Sequence, residues 1–315
     1  MNYTCSLIIR SFNEEKYIGR LFEGIKKQTL YHDTEVILVD SGSSDRTVQI
    51  ALQNNVKVVT IKPEEFSFGR ALNLGCSQAQ GKYLLFASAH VYPVYTDWIE
   101  KMIAPFENDK IALVYGKQIG NEVTKYSEKQ LFNKWFPKDS NYSQDHPFCN
   151  NANAVVRKML WEEQHYDEYL TGLEDLEWAT KIQKKGFKIA YEAFAPIVHV
   201  HEESVAKIKN RYMREAMALK TIFPKQRMSF FDFIRLASGN ILSDCIHAQR
   251  EKVLLKNISE IFLFRILQFW GTYKGFKHGE VDRRLHQRFY YPNGLKKGNN
   301  EKRDDAEKIL YTAVN

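Results

Sequence analysis

Apolar residues gather in the first ninety positions into short continuous runs: SLII (Ser6–Ile9), EVILVD (Glu35–Asp40), VKVVTI (Val56–Ile61) and YLLFAS (Tyr83–Ser88). Each run is rich in aliphatic side chains and too short for a helix, which predicts strands buried on both faces, as in parallel sheets. Between them the period changes. Glu15–Gln28 repeats apolar residues at Ile18, Leu21, Phe22 and Ile25, and Asp45–Asn54 and Gly69–Gln80 carry similar stripes, so all three read as helices. Such alternation predicts a doubly wound α/β sheet, whose ligands bind beyond the carboxyl ends of its strands. The polar loops that follow the runs, RSFNEE, DSGSSDRT and SAHVYP, are therefore where chemistry is expected. DSGSSDRT by itself reads as a capped turn, with Gly42 between serines and a helix start at Ser44 or Asp45 that could offer N–H groups to an anion.

The pattern loosens after Lys117. Gly120–Asp145 is polar and aromatic without a clean period, which predicts a loop-rich insertion. CNNANAVVRKMLWEE reads as a polar turn, a strand and a helix, and TGLEDLEWATKIQKKGF as an amphipathic helix starting at Thr171 or Gly172 and ending at Gly186. APIVHVHEES is one more strand, on which His199 and His201 share a face. Beyond Glu203 helical patterns follow one another: KIKNRYMREAMALKTIF, FFDFIRLASGNIL, ISEIFLFRILQFWGTYKGF and VDRRLHQRFYY, punctuated by Pro224 and Gly271–Gly279. The stretch GLKKGNNEKRDDAEK reads as solvated. A change of texture near Ser204 divides residues 1–204 from a helical region, 205–315.

Charge sharpens that division. The chain of 315 residues carries a formal +7, yet from Ala206 onward 22 Lys and Arg face 11 Asp and Glu, against 23 and 27 before it. Cations interleaved with aromatics are compatible with nucleic acid. Their spread along helices with apolar stripes suits an anionic membrane surface or acidic partner better, and no nucleic acid is expected. The cysteines Cys5, Cys76, Cys149 and Cys245 form no CxxC pair, so neither a zinc cage nor a disulfide framework is indicated. No signal-peptide pattern opens the sequence, and the apolar segment IFLFRILQFW is interrupted by Arg265 and too short to span a bilayer. A cytoplasmic protein, at most peripheral at the inner face of the cell membrane, is expected.

Six segments taken together, in order from Ser6 to about Ser204, resemble the inverting GT-A glycosyltransferases of family 2, sugar-nucleotide-dependent enzymes of bacterial polysaccharide assembly: SLIIRSFNEEKYIGRLFEGIKKQ, EVILVDSGSSDRT, FGRALNLGCSQAQGKYLLFASAH, NNANAVVRKMLWE, GLEDLEWATKIQKKGFKI and VHVHEES. The resemblance implies a Rossmann-like, mostly parallel sheet flanked by helices, with the region after Ser204 as a variable helical extension. It also implies roles. Arg10, Asn13, Glu14, Asp40 and Ser43 become candidates for holding the donor nucleotide, and Arg70 and Asn73 fall where the family contacts it. Where the family writes Asp-x-Asp this chain has Ser88-Ala89-His90, which keeps Ser88 as a donor-site candidate but supplies neither carboxylate. Some GT-A enzymes use Asp-x-His with a second histidine further along, and His199 and His201 stand at that place. Imidazoles can ligate Mn²⁺ and favour it over Mg²⁺. A metal-independent enzyme in which His90 donates directly to the diphosphate stays open beside this reading.

GLEDLEW resembles the family's Glu-Asp motif, which assigns Asp175 as the catalytic base and Glu174 as its support. Their place in a first helical turn is expected to favour the ionised form. Asn151, Asn153 and Trp178 are expected to line the acceptor cleft. The function implied is transfer of a sugar from a UDP- or dTDP-linked donor to a glycan or lipid-linked acceptor with inversion, in bacterial surface polysaccharide synthesis such as capsule. Two alternatives compete: a catalytically impaired relative that binds sugar nucleotide or membrane, and a nucleotidyltransferase, which lacks a Gly-rich loop with a nearby lysine after the first strand.

Overall fold

A computed structural model describes residues 3–277 and 307–311. The expected VDRRLHQRFYY helix and most of GLKKGNNEKRDDAEK lie outside the described residues. The elements run β1 (Cys5–Ser11), α1 (Ile18–Lys26), β2 (Thr34–Asp40), α2 (Thr47–Gln53), β3 (Lys57–Thr60), α3 (Phe68–Ser77), β4 (Tyr83–Ser88), β5 (Val91–Pro93), α4 (Trp98–Ile103), β6 (Ile111–Ile119), α5 (Tyr126–Trp135), β7 (Asn153–Arg157), α6 (Lys158–Glu163), α7 (Glu174–Lys184), β8 (Lys188–His199), α8 (Val205–Ile222), α9 (Phe230–Arg250) and α10 (Leu254–Phe276). The eight strands form one sheet in the order β3-β2-β1-β4-β7-β6-β8-β5. Pairings among β1 to β4 are parallel, as is β6 with β8, while β7 and β5 run antiparallel to their neighbours. Alternate side chains of β1 serve two cores: Ile8 packs on the α3 and α7 side with Leu72 and Trp178, and Leu7 and Ile9 pack on the α1 and α4 side with Leu21 and Trp98. Burial on both faces is why β1 and β4 are continuously apolar, whereas β3, at the sheet edge, leaves Lys57 and Thr60 exposed and is not the buried strand that VKVVTI predicts.

Register brings the functional loops to one edge. Arg10 pairs with Ser88 and Ser11 with Asp40, so β1, β2 and β4 end together. The antiparallel strand β7 starts beside the same edge, with Asn153 opposite Ala87. At the far side Val91 pairs with His199, and the Val200 N–H donates to the His90 carbonyl at 3.1 Å. Three further sequence expectations need correction. The Gly120–Asp145 stretch contains α5, whose inward side includes Ser127, Glu128 and Gln130, so a buried polar face hid its period. The GLEDLEW helix starts at Glu174 rather than at Thr171 or Gly172, behind Leu173 in the left-handed region at φ 58°. Gly271 and Gly275 do not punctuate: α10 runs through both, and a Cβ at either would overlap the α8 backbone at Lys209 or Met213. No helix among the described residues is long and apolar enough to cross a membrane.

Candidate active site

A cleft of about 630 Å³ opens at the carboxyl edge of the sheet, lined by Arg10, Asn13, Glu14, Ser88, His90, Asn151, the 172–175 turn, the 199–203 segment and the α8 residues Lys207, Arg211, Arg214 and Glu215. The loops after β1 and β2 hold each other. Asn13, left-handed at φ 54°, accepts from the Ser44 N–H at 2.8 Å and donates its own N–H to Ser43 Oγ at 2.8 Å. The Asp40 carboxylate accepts from Ser11 Oγ, the Gly42 and Ser43 N–H groups and Ser43 Oγ, all within 3.1 Å. Of the expected donor residues, Arg10, Asn13, Glu14 and Ser88 reach the cleft, and Asp40, Ser43, Arg70 and Asn73 do not line it. Asp40 and Ser43 brace the loop. Arg70 lies on the surface near Glu65, and the Asn73 amide is used by Trp161, Tyr166 and Glu168.

His90, His199 and His201 converge from β4–β5 and the end of β8, each offering a ring nitrogen within 4.8 Å of the others. In each ring Nδ1 is already committed: to Glu14 Oε1 at 2.8 Å, Gln118 Oε1 at 2.7 Å and Glu128 Oε1 at 2.7 Å, respectively. In a neutral ring, donation of Nδ1–H leaves Nε2 with its lone pair, the tautomer that an oxygen acceptor at Nδ1 fixes in metal-binding histidines. His199 Nε2 is buried without a hydrogen-bond partner. Burial, then the neighbouring His201 and His90, push His199 well below the ordinary histidine range, so this ring stays neutral. Three imidazoles, each with its Nδ1 held by an oxygen, and the orphaned buried nitrogen of His199 fit a divalent cation of borderline softness.

Glu174 and Asp175 open α7 and line the same cleft. Arg10 Nη1 lies 2.9 Å from Glu174 Oε1. Asp175 is buried, accepts from the Asn151 N–H at 3.0 Å and from the Leu176 N–H at 2.8 Å, and is nonetheless pushed up to about 7 by burial and by the charge of Glu174. The ionised form expected from the helix N-terminus is thus opposed by two larger effects, which leave a carboxyl that titrates near neutrality, where a general base works best. Both side-chain amide atoms of Asn151 face inward without partners. Asn153 and Trp178, expected to line the acceptor cleft, are structural instead: Asn153 bonds Trp98, Lys117 and Ala195, and Trp178 donates to the Gln164 carbonyl.

The sequence reading missed Glu128 and the charged face of α8. Buried Glu128 joins His201 to Arg211, with Arg211 Nη2 at 2.8 Å. Burial raises its carboxyl, but the His201 and Arg211 charges outweigh that and hold it well below the ordinary range. Arg211 and Arg214 border the stripe of Ile208, Tyr212, Ala216 and Leu219 and Glu215 falls within it, a signal visible in the sequence, where the cations read as membrane-facing charge. Glu215 is pushed up to about 7 by burial, against the pull of Arg211 and Arg214.

Comparison with known proteins agrees with this architecture. The family model described as Glycosyl transferase family 2 matches residues 6–164. The O-antigen chain rhamnosyltransferase RfbN of Salmonella typhimurium is 27% identical over 66% of this chain and 69% of its own length. The poly(ribitol-phosphate) beta-N-acetylglucosaminyltransferase TarS of Staphylococcus aureus is 33% identical over 82% of this chain and 44% of its own length, so the match spans less than half of that relative. Among solved structures, the mannosyltransferase PcManGT of Pyrobaculum calidifontis, in complex with GDP-Man and Mn²⁺, superposes with a TM-score of 0.57 at 16% identity, covering 88% of this chain and 85% of that one. TarS 1-349 with UDP-GlcNAc gives 0.52 at 16% identity, covering 84% and 90%. These likenesses show a shared GT-A fold, and with the family match over half its length the chain belongs to glycosyltransferase family 2.

Proposed function

We propose that the protein transfers a sugar, with inversion, from a nucleoside-diphosphate donor to a hydroxyl of a bacterial surface glycan or its lipid-linked precursor. The carrying observation is that the buried Asp175 carboxyl and the three-histidine cluster border one cleft. In this reading the acceptor hydroxyl gives its proton to Asp175 while its oxygen bonds the anomeric carbon from the face opposite the phosphate. The anomeric C–O bond breaks as the nucleoside diphosphate leaves. A divalent cation held by His90, His199 and His201 would neutralise charge on the departing diphosphate, with Mn²⁺ favoured over Mg²⁺ by the nitrogen donors. Arg10 ties Glu174 to the donor side of the cleft, and Lys16, Lys207 and Arg214 add positive charge along it. The donor UDP-GlcNAc in the TarS complex supports a UDP-type nucleotide, and the names of RfbN and TarS support a bacterial surface polymer as acceptor.

The test is a panel of UDP-, dTDP- and GDP-sugars incubated with Mn²⁺, with release of nucleoside diphosphate followed for wild type and Asp175→Asn. One donor should be consumed, and the variant should lose about 10² or more in rate while still binding it. A variant with near-normal turnover removes Asp175 as the base. Calorimetric titration of Mn²⁺ alone should show binding that His199→Ala abolishes. Full activity in chelator would instead leave His90 as a direct phosphate donor.

A further inference from the structure

The hairpin of α9 and α10 carries large apolar side chains outward that nothing among the described residues covers. Leu255 is 93% exposed, Phe231 66% and Leu242 62%, and Phe262 and Leu263 are nearly half exposed. Singly such residues are ordinary, but gathered on two adjacent helices they are the kind of exposed apolar surface that marks an interaction site. The charges are sorted as well. Arg235, Arg250, Lys252 and Lys256 are exposed. Among the acids, Asp232 caps α9 through Ser229 and lies 3.7 Å from Arg235 Nη2, Asp244 pairs with buried Arg265, and Glu260 accepts from the Ser127 N–H. Glu251, in the turn, is exposed but accepts from Tyr126.

We propose that this apolar, cation-rimmed face of the α9–α10 hairpin docks on an anionic lipid surface. Apolar side chains with basic residues beside them and the acids already partnered are what a helix lying in the interface of an anionic bilayer requires. A second copy of the chain fits less well, because a two-fold contact places the same surface on itself and sets these cations against each other. The placement has a consequence for access. Arg211 lines the cleft, while Ile208 and Tyr212 on the same helix pack against Phe264 of α10. Docking the hairpin therefore holds the cleft roughly one helix diameter, about 10 Å, from the packed hairpin that meets the lipid, within reach of a lipid-linked acceptor. The docking itself does not depend on the transfer reaction.

Sedimentation of the full chain with phosphatidylcholine vesicles, with and without phosphatidylglycerol, tests this. The protein should bind the anionic vesicles and lose binding as salt rises, since each cation near the surface contributes about fivefold. Arg235→Glu with Lys256→Glu should weaken binding at least tenfold, as should Phe231→Ser with Leu255→Ser and Phe262→Ser, all with unchanged circular dichroism and melting temperature. Absence of binding to anionic vesicles overturns the proposal. So does equal binding to both vesicles that no variant alters, or self-association in solution that the same variants abolish without any vesicle binding.

Discussion

Burial and Glu174 push the Asp175 carboxyl up to about 7, from an ordinary 3.8, so the native state holds this proton more tightly than the unfolded chain does. The associated stability is fully present below about pH 4 and is lost as pH rises through about 7. Asp175→Asn does not titrate there. Its melting temperature relative to wild type should therefore rise between about pH 5 and pH 8, an advantage of a few kcal/mol at most. Over the same range wild-type turnover should increase, because only the ionised carboxylate accepts a proton. If the two proteins shift in parallel with pH, the raised carboxyl is not at Asp175. Glu128 offers a second residue-scale test: Glu128→Gln should weaken Mn²⁺ binding by about 10- to 100-fold in calorimetry, the usual cost of losing a group that orients a ligand. Undiminished Mn²⁺ affinity would show that Glu128 does not orient His201. That Asp175 and the histidines meet at one cleft could be read from motif position, because their loops follow recognisable strands. Glu128 could not, since a buried carboxylate on a mixed helix face resembles any surface acid until Arg211 and His201 are seen beside it.

Helix α10 packs on α8 through Gly271 and Gly275, four residues apart on one face, where the backbones approach too closely for a side chain. Gly275→Val should cost about 1–3 kcal/mol, the range for overpacking, read as a lower denaturation midpoint; no change would mean the helices can separate freely. The interruption of the apolar run by Arg265 also has its reason here. Arg265 is fully buried, with Nε 2.7 Å from Asp244 Oδ2 and further bonds to Gln268 and the Ser127 carbonyl, so it joins α5, α9 and α10. Asp244→Asn alone should destabilise by roughly 3–5 kcal/mol, whereas Asp244→Leu with Arg265→Met should cost much less, because a lone buried charge is worse than none. Equal losses in both would argue against the ion pair. Neither the glycine contact nor the ion pair was legible, because each depends on which helix lies opposite. The apolar strands β1, β2 and β4 and the α1, α3 and α7 stripes were legible, since their pattern follows from burial alone.

Across the whole molecule, the sequence predicted an α/β sheet with loops gathered at one edge, and the register delivers that edge. The change of texture near Ser204 is real in composition, yet α8 contributes cations and Glu215 to the cleft, and its apolar face packs with Leu176 of α7 and Phe269 of α10. A basic count could not separate cations that face the cleft, such as Arg211 and Arg214, from those that rim the hairpin, such as Arg235 and Lys256, because net charge carries no direction. The proposed transfer needs the three-histidine cluster and the buried Asp175 carboxyl to serve one cleft. Its most direct test is the rate of nucleoside diphosphate release from the preferred sugar nucleotide, measured with Mn²⁺ for wild type and Asp175→Asn. A loss of about 10² or more in the variant, with donor affinity kept, is the result predicted; a donor panel that yields no release from wild type, or equal release from both proteins, would contradict it.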